Sequence, residues 1–196
     1  MLIFATNNGH KLAEARAILP MSIASLREVG IDEDIPETGT SLEANSLQKA
    51  QFVFERLHQA CFADDTGLEV DCLNGAPGYM TARYSGEPVD SKRNILKLLA
   101  EMEKAAPAAA QTPRLPQRQA QFRTVITLIR DNGEVRQVSG VVRGRIALEM
   151  SGAGGFGYDP VFIPEGYDKT FSELGEEVKN LISHRARAFQ ELLAIL

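Results

Sequence analysis

The chain has 196 residues, 44% hydrophobic and 24% charged, with 21 Lys and Arg against 26 Asp and Glu for a formal charge of -5. Such a composition suits one soluble domain, or one domain with two lobes, and excludes a disordered chain, a collagen and a disulfide scaffold. The acidic balance also argues against nucleic acid as a partner, since phosphate-backbone binders carry a basic surplus, although a local basic pocket stays compatible with it.

In chain order, Leu2 to Ala5 is an apolar run that fits a buried strand. Thr6-Asn7-Asn8-Gly9 is turn chemistry, and His10 to Leu19 reads as a helix stopped by Pro20. Ser22 to Leu26 suggests a second strand. Thr40 and Glu43 form a Thr-x-x-Glu capping box ahead of a helix with Leu47, Ala50, Val53, Phe54 and Leu57 on one face. Ala60 to Ala63 reads as a short strand ending in Asp64-Asp65-Thr66-Gly67, and Leu68 to Leu73 as the next strand. After the turn Gly75-Ala76-Pro77-Gly78, Asp90 opens a helix with Ile95, Leu98, Leu99 and Met102 inward.

Residues 105–117 break the pattern with Pro107, Pro113 and Pro116, and read as a mobile surface insertion. Gln121 to Ile129 and Val135 to Leu148 form a hairpin across Asp131-Asn132-Gly133. A glycine-rich run from Gly152 to Gly157 precedes a short strand, Val161 to Ile163. Ser183 to Leu196 is a terminal helix. Cys61 and Cys72 lack metal-ligand spacing and read as buried thiols. No apolar run approaches the ~18 residues of a membrane span, and no secretory leader is visible, so the expected location is the cytoplasm.

Four constellations carry chemistry. The loop Thr6-Asn7-Asn8-Gly9 before a helix bearing Lys11 can offer N–H groups and a positive charge to an anion; a plain strand-to-helix turn is the bland alternative. Asp64 and Asp65 at a strand end, with Glu37 in an earlier loop, present the carboxylate oxygens that hard cations such as Mg²⁺ take, unless they make only a polar turn. Gly152, Gly154 and Gly157 match G-x-G-x-x-G, but Asp159-Pro160 and Pro164 block the helix that a dinucleotide loop needs. What remains useful there is Phe156, Tyr158 and Asp159 on a slim backbone, able to stack on a flat base and bond its edge. Lys179 with Ser183-His184-Arg185 places basic groups around a helix start, where a bound anion or base would offset the opposed dipole. There is no P-loop, zinc-peptidase or nucleophile-elbow motif.

Taken in order, these pieces resemble the inosine/xanthosine triphosphate pyrophosphatase family, the house-cleaning hydrolases of non-canonical purine nucleotides. The resemblance is carried by Thr6-Asn7-Asn8-Gly9-His10-Lys11, by Pro36-Glu37-Thr38-Gly39 with Asn45 and Lys49, and by Ala63-Asp64-Asp65-Thr66-Gly67-Leu68. Gly75-Ala76-Pro77-Gly78 and Ala82-Arg83-Tyr84-Ser85-Gly86 follow, then Phe156-Gly157-Tyr158-Asp159-Pro160 and Lys179 with Ser183-His184-Arg185. It runs from Thr6 to Arg185. Thr66 stands where the family often has Ser and keeps the hydroxyl. Residues 105–117 match no motif.

The resemblance implies a mixed α/β fold over residues 1–196, with an elongated central mixed β-sheet flanked by helices and two lobes around a nucleotide-binding cleft. It implies a homodimer, Mg²⁺ as cofactor, and hydrolysis of ITP, dITP and XTP to monophosphate and pyrophosphate, which cleanses the nucleotide pool. On that reading Thr6, Asn7, Asn8, Gly9 and Lys11 bind phosphates, and His10 and Thr66 also bind substrate. Glu37 and Asp65, with Asp64 close by, hold the metal. Asp65 accepts the proton of the attacking water; whether it acts as base, as metal ligand or as both stays open. Phe156, Gly157, Tyr158, Asp159, Lys179, His184 and Arg185 form the base pocket. A nucleotide-binding module without catalysis and a metal-dependent hydrolase of another phosphate ester are the alternatives, with an acidic scaffold behind them. Keeping all three carboxylates argues against the module.

Overall fold

The computed structural model describes residues 1–33, 35–105 and 118–196. The expected insertion at 105–117 therefore lies, except for Ala105, outside the described residues.

The fold opens on a parallel core. β1 (Leu2–Phe4) is fully buried and lies between β2 (Ile23–Ala24) and β3 (Cys61–Val70), parallel to both, with Ile3 opposite Ala24 on one side and Cys61 on the other. Parallel neighbours need a crossover, and the chain supplies helices for it. α1 (Gly9–Ile18) connects β1 to β2, and α2 (Leu42–Leu57) precedes β3. The sheet runs on through β5 (Gln119–Ile129), β6 (Val135–Ile146) and β7 (Phe162–Pro164), with β4 (Pro77–Gly78) antiparallel to β3 and β7 antiparallel to β6. It is an open, mixed, seven-stranded sheet in the order β2-β1-β3-β5-β6-β7, as expected of a mixed α/β fold. The turn joining β5 to β6 is closed by the Arg130 amide on the Glu134 carbonyl at 3.0 Å. α3 (Ser91–Ala105), α4 (Phe171–Ile182) and α5 (His184–Ala194) complete the helices. Among the described residues no helix is long and apolar enough to cross a membrane.

Two local expectations are corrected and one helix, α4, is added. The two short strands expected on either side of Asp64-Asp65-Thr66-Gly67 are one continuous strand, β3. Aspartate disfavours strands in isolation, but here both carboxylates are satisfied by side chains from neighbouring helices, which overrides propensity. The α2 cap is Ser41, extended at φ -149°, with its hydroxyl accepting from the Ala44 amide at 3.1 Å, and not the Thr40–Glu43 box. α4 lies where no element was expected, and Gly175, at φ 80° and ψ 171°, interrupts its helical geometry.

The chain divides into two compact units: Met1–Asp65 with Thr124–Gly140 and Ser183–Leu196, and Thr66–Arg123 with Val141–Ile182. In the first unit, strand alternation sorts side chains to two faces. Phe4 and Phe62 stack at 4.4 Å and meet Phe189 of α5 edge-on, in a cluster that includes Ala15 of α1. Ile3, Cys61 and Ala63 join Ala50 and Val53 of α2 in a separate cluster. In the second unit the core gathers Leu68, Ile95, Leu98, Phe122, Phe162 and Phe171.

Candidate active site

In the first unit, the register that sets Phe4 beside Phe62 places Asp64 and Asp65 just beyond the carboxyl end of β1, where the Thr6–Gly9 loop begins. Asn8 caps α1: its side-chain oxygen accepts from the amides of His10 at 3.0 Å and Lys11 at 3.2 Å. The Thr6 hydroxyl in turn accepts from the Asn8 amide at 3.1 Å. Two helix amides expected to face an anion are thus already bonded by the cap. The positive charge expected there is the Lys11 ammonium of α1, and the buried Asn7 side-chain oxygen, an acceptor, has no hydrogen-bond partner among the described residues. His10 is exposed.

Alternation then sends the adjacent acids to opposite faces. Asp64 points to the α1/α5 face. Its two oxygens accept from the Lys11 ammonium at 2.8 Å and the Arg185 Nε at 3.0 Å, and the Arg185 guanidinium also bonds Glu14 of α1. Arg185 is only 1% exposed. Burial alone would raise the Asp64 carboxyl, but Lys11 and Arg185 outweigh it and hold the group well below the usual carboxylate range. Burial depresses Lys11 despite Asp64, while Asp64 and Glu14 overcome burial and raise Arg185.

Asp65 points to the α2 face. Its Oδ2 accepts from the Asn45 amide at 3.1 Å, and its Oδ1 stands 3.4 Å from the Lys49 ammonium. The same ammonium reaches Glu37 Oε1 at 2.5 Å. Burial, aided by Glu37, lifts the Asp65 carboxyl above its ordinary value against the pull of Lys49 and Lys11. For Lys49, burial is outweighed by Asp65 and Glu37, and its pKa is raised. One turn of α2 also builds the loop that carries Glu37. Asn45 accepts the Gly39 amide at 2.9 Å and Gln48 accepts the Thr38 amide at 3.0 Å. A Cβ on Gly39 would come within 2.7 Å of both Ala44 Cβ and the Asn45 oxygen, so the loop approaches the helix only because that side chain is missing.

These oxygens fit a divalent cation of the oxygen-loving kind. Glu37 Oε1 and Asp65 Oδ1 already converge on one positive centre. Among the described residues no group of three or more His, Cys, Asp or Glu is gathered to hold a metal by itself. Two carboxylates with the remaining positions left to water and substrate phosphate is the habit of Mg²⁺ sites, not of closed protein cages. Asp64, expected near the metal, has its oxygens engaged by Lys11 and Arg185 on the other face of the strand.

The second unit holds the glycine-rich segment. The Asp159 carboxylate accepts from the Phe156 amide at 2.8 Å and from the Lys179 ammonium at 2.7 Å, and both charged side chains are buried. Gly155, at φ 79°, makes room for that carboxylate, since a Cβ there would lie 2.4 Å from it. The Lys179 ammonium also sits 4.2 Å from the centroid of the half-buried Phe156 ring. Tyr158, expected to face a base, is 3% exposed, packs in the apolar core and donates its hydroxyl to the Thr81 carbonyl at 3.0 Å. Gly157 takes a positive φ of 62°, and Thr66 is half-buried at the start of this unit.

The structure therefore groups Lys11, Asp64 and Arg185 in one network, Glu37 and Asp65 in another, and Phe156, Asp159 and Lys179 in a third. His184 and Arg185 belong to the first unit, with Ser183 capping α5 through the Ala186 amide at 3.1 Å. Sequence reasoning missed Glu14 and gave no role to Asn45 or Lys49. The available signals were helical spacings: Glu14 lies three residues after Lys11, and Lys49 four after Asn45.

Comparison with known proteins finds relatives along nearly the whole chain. The family model described as the Ham1 family matches residues 2–195. A dITP/XTP pyrophosphatase of Porphyromonas gingivalis is 53% identical over 193 residues, covering 97% of this chain and 94% of that protein. A dITP/XTP pyrophosphatase of Bacillus subtilis is 41% identical, with 99% and 96% covered. The structure of the Staphylococcus aureus Ham1 protein superposes with a TM-score of 0.85 at 36% identity, over 99% of this chain and 96% of that one.

Proposed function

Since the chain belongs to the Ham1 family, we propose that it hydrolyses non-canonical purine nucleoside triphosphates, dITP, ITP and XTP, to the monophosphate and pyrophosphate. The observation that carries this reading is the convergence of Glu37, from the loop before α2, and Asp65, from β3, on one cationic position, next to Asp64, which is tied to Lys11. The names of its relatives support the substrate class.

Glu37 and Asp65 would hold Mg²⁺, which when bound supplies charge neutralisation for the triphosphate. Lys11 faces the phosphates and adds a further positive charge, with Asn7 and the capped α1 start beside it. Asp65 takes the proton of the water that attacks the α-phosphorus. Phe156 offers a ring face to the base, held by the Asp159–Lys179 pair behind it. Donors aimed at a 6-oxo group favour hypoxanthine and xanthine over adenine, whose amino group would leave a buried donor unpaired. The homodimer and the Mg²⁺ requirement belong to the same proposal and rest on the resemblance, while the cytoplasmic location stays an expectation from the sequence.

The test is product identification with ITP, XTP, dITP, ATP and GTP, with Mg²⁺ and with chelator. Monophosphate plus pyrophosphate from the first three, lost with chelator and weak for ATP and GTP, is expected. Release of orthophosphate with a nucleoside diphosphate would place the attack on a different phosphorus and overturn the reading.

A further inference from the structure

Two carboxylates facing one point, Asp65 buried and Glu37 half-buried, repel each other and are costly without a counter-charge. In this chain the counter-charge is internal. The Lys49 side chain is 9% exposed, and its ammonium lies 2.5 Å from Glu37 Oε1 and 3.4 Å from Asp65 Oδ1. Asn45, one turn earlier on α2, divides the labour by holding Asp65 Oδ2 with a neutral amide. The oxygens left facing the ammonium are the two that a divalent cation would take. Such a cation needs oxygens at about 2.0–2.1 Å. An ammonium cannot keep its own hydrogen bond to Glu37 along the same approach, and two positive centres that close repel.

We propose that Lys49 is a resident counter-ion, which a divalent cation must displace from Glu37 and Asp65, so that Lys49 sets how tightly the empty enzyme takes metal. The inference rests on the reading of Glu37 and Asp65 as the metal-holding pair. Lys49 keeps the two carboxylates apart from solvent cations until a better ligand arrives. The displaced ammonium then needs a new anion, and a triphosphate supplies one. Metal and nucleotide therefore bind with positive coupling, each lowering the cost that Lys49 imposes on the other. Lys49 is a positioning residue in this scheme, acting through the oxygens it occupies.

The experiment is Mn²⁺ titration of the full chain without nucleotide, read by calorimetry or by the paramagnetic resonance of free Mn²⁺. Wild type is compared with Lys49→Met and Glu37→Gln, and each protein's thermal midpoint is measured in chelator and in Mn²⁺. Lys49→Met is expected to bind Mn²⁺ about tenfold more tightly than wild type, within the span usual for coupled sites. Its midpoint should be lower than wild type in chelator and should rise further on adding Mn²⁺. Glu37→Gln should lose Mn²⁺ affinity. Unchanged or weaker binding by Lys49→Met, with binding still lost in Glu37→Gln, would overturn the counter-ion proposal and leave the metal pair standing. Binding unaffected by Glu37→Gln, or absent from wild type and Lys49→Met alike, would overturn both. If Lys49→Met does not fold, Lys49→Gln keeps a hydrogen-bond donor without the charge and carries the same expectations.

Discussion

Asp64 and Asp65 are neighbours in one strand, yet they occupy opposite electrostatic worlds. On the α1/α5 face, Asp64 sits between Lys11 and Arg185, so one carboxylate serves two cations and is driven deep into its charged form. On the α2 face, Asp65 shares one ammonium with Glu37, so two carboxylates compete for one cation and Asp65 is driven toward its neutral form. An anion held directly between two cations, one of them tied in turn to Glu14, is structure. An anion short of positive charge is a place for a metal and a proton. The residue types are identical, and only the count of partners on each side differs.

The largest expected effect breaks the first face. Asp64→Asn removes the anion shared by the half-buried Lys11 and the buried Arg185, which keeps only Glu14, and should cost about 3–5 kcal/mol, as removal of one partner of a buried pair does. Urea unfolding measures it, and a wild-type midpoint would show that the network is not structural. Asp65→Asn should act the other way round. Its rate should fall by more than ~100-fold, about 2.7 kcal/mol in the barrier.

The Asp65→Asn fold should survive, for a stated reason. A carboxyl whose folded pKa is raised contributes stability that is fully present below its unfolded value and is lost as the pH rises through the folded one, so the ionised Asp65 adds none through its own titration. Without added metal, the unfolding midpoint of Asp65→Asn at pH 7 should therefore equal or exceed that of wild type. A large drop would mean that the two faces are less different than their partners suggest.

Gly39→Ala sharpens the second face by pushing the Glu37 loop off α2. A Cβ 2.7 Å from Ala44 and Asn45 forces a shift that should cost about 1–3 kcal/mol and weaken Mn²⁺ binding while leaving the Lys11 network intact. Mn²⁺ titration beside thermal melts separates the two effects.

The smallest effect sets the surface scale for both. Glu28 is held down to about 2 by the Ser25 amide, then Arg16, then the Ser25 hydroxyl. Its folded pKa lies below the model-compound value of 4.5, so its contribution is present above that pH and fades as the pH falls toward about 2. The stability gap between wild type and Glu28→Gln should close over that window; a gap constant with pH would show that the exposed pair contributes no charge-dependent stability.

The sequence made much of this legible because some signals are local. The turn at Asp131-Asn132-Gly133, the apolar face of Ile95, Leu98 and Met102, and the Ser183 cap depend on residues a few positions apart, and the structure realises each. The candidate acids and Lys11 were legible as types that metal and phosphate chemistry require, and their order along the chain carried the family resemblance. Glu14 was not legible, because its importance comes from Arg185, which lies 171 positions away. Tyr158 shows the same limit from the other side: an aromatic beside glycines suits a base or a core equally, and its bond to the Thr81 carbonyl is a long-range fact.

By itself, then, the sequence determined the mixed α/β class, the elements with local signals and the set of groups able to do phosphate chemistry. Which acid faces which cations was decided only in three dimensions. That outcome needed β3 to be continuous through Asp64 and Asp65, α2 to cover one side of it, and α1 with α5 to cover the other. Strand alternation fixes that neighbours diverge, but the charge each one meets belongs to the helices packed above and below, and no short stretch of sequence contains that information.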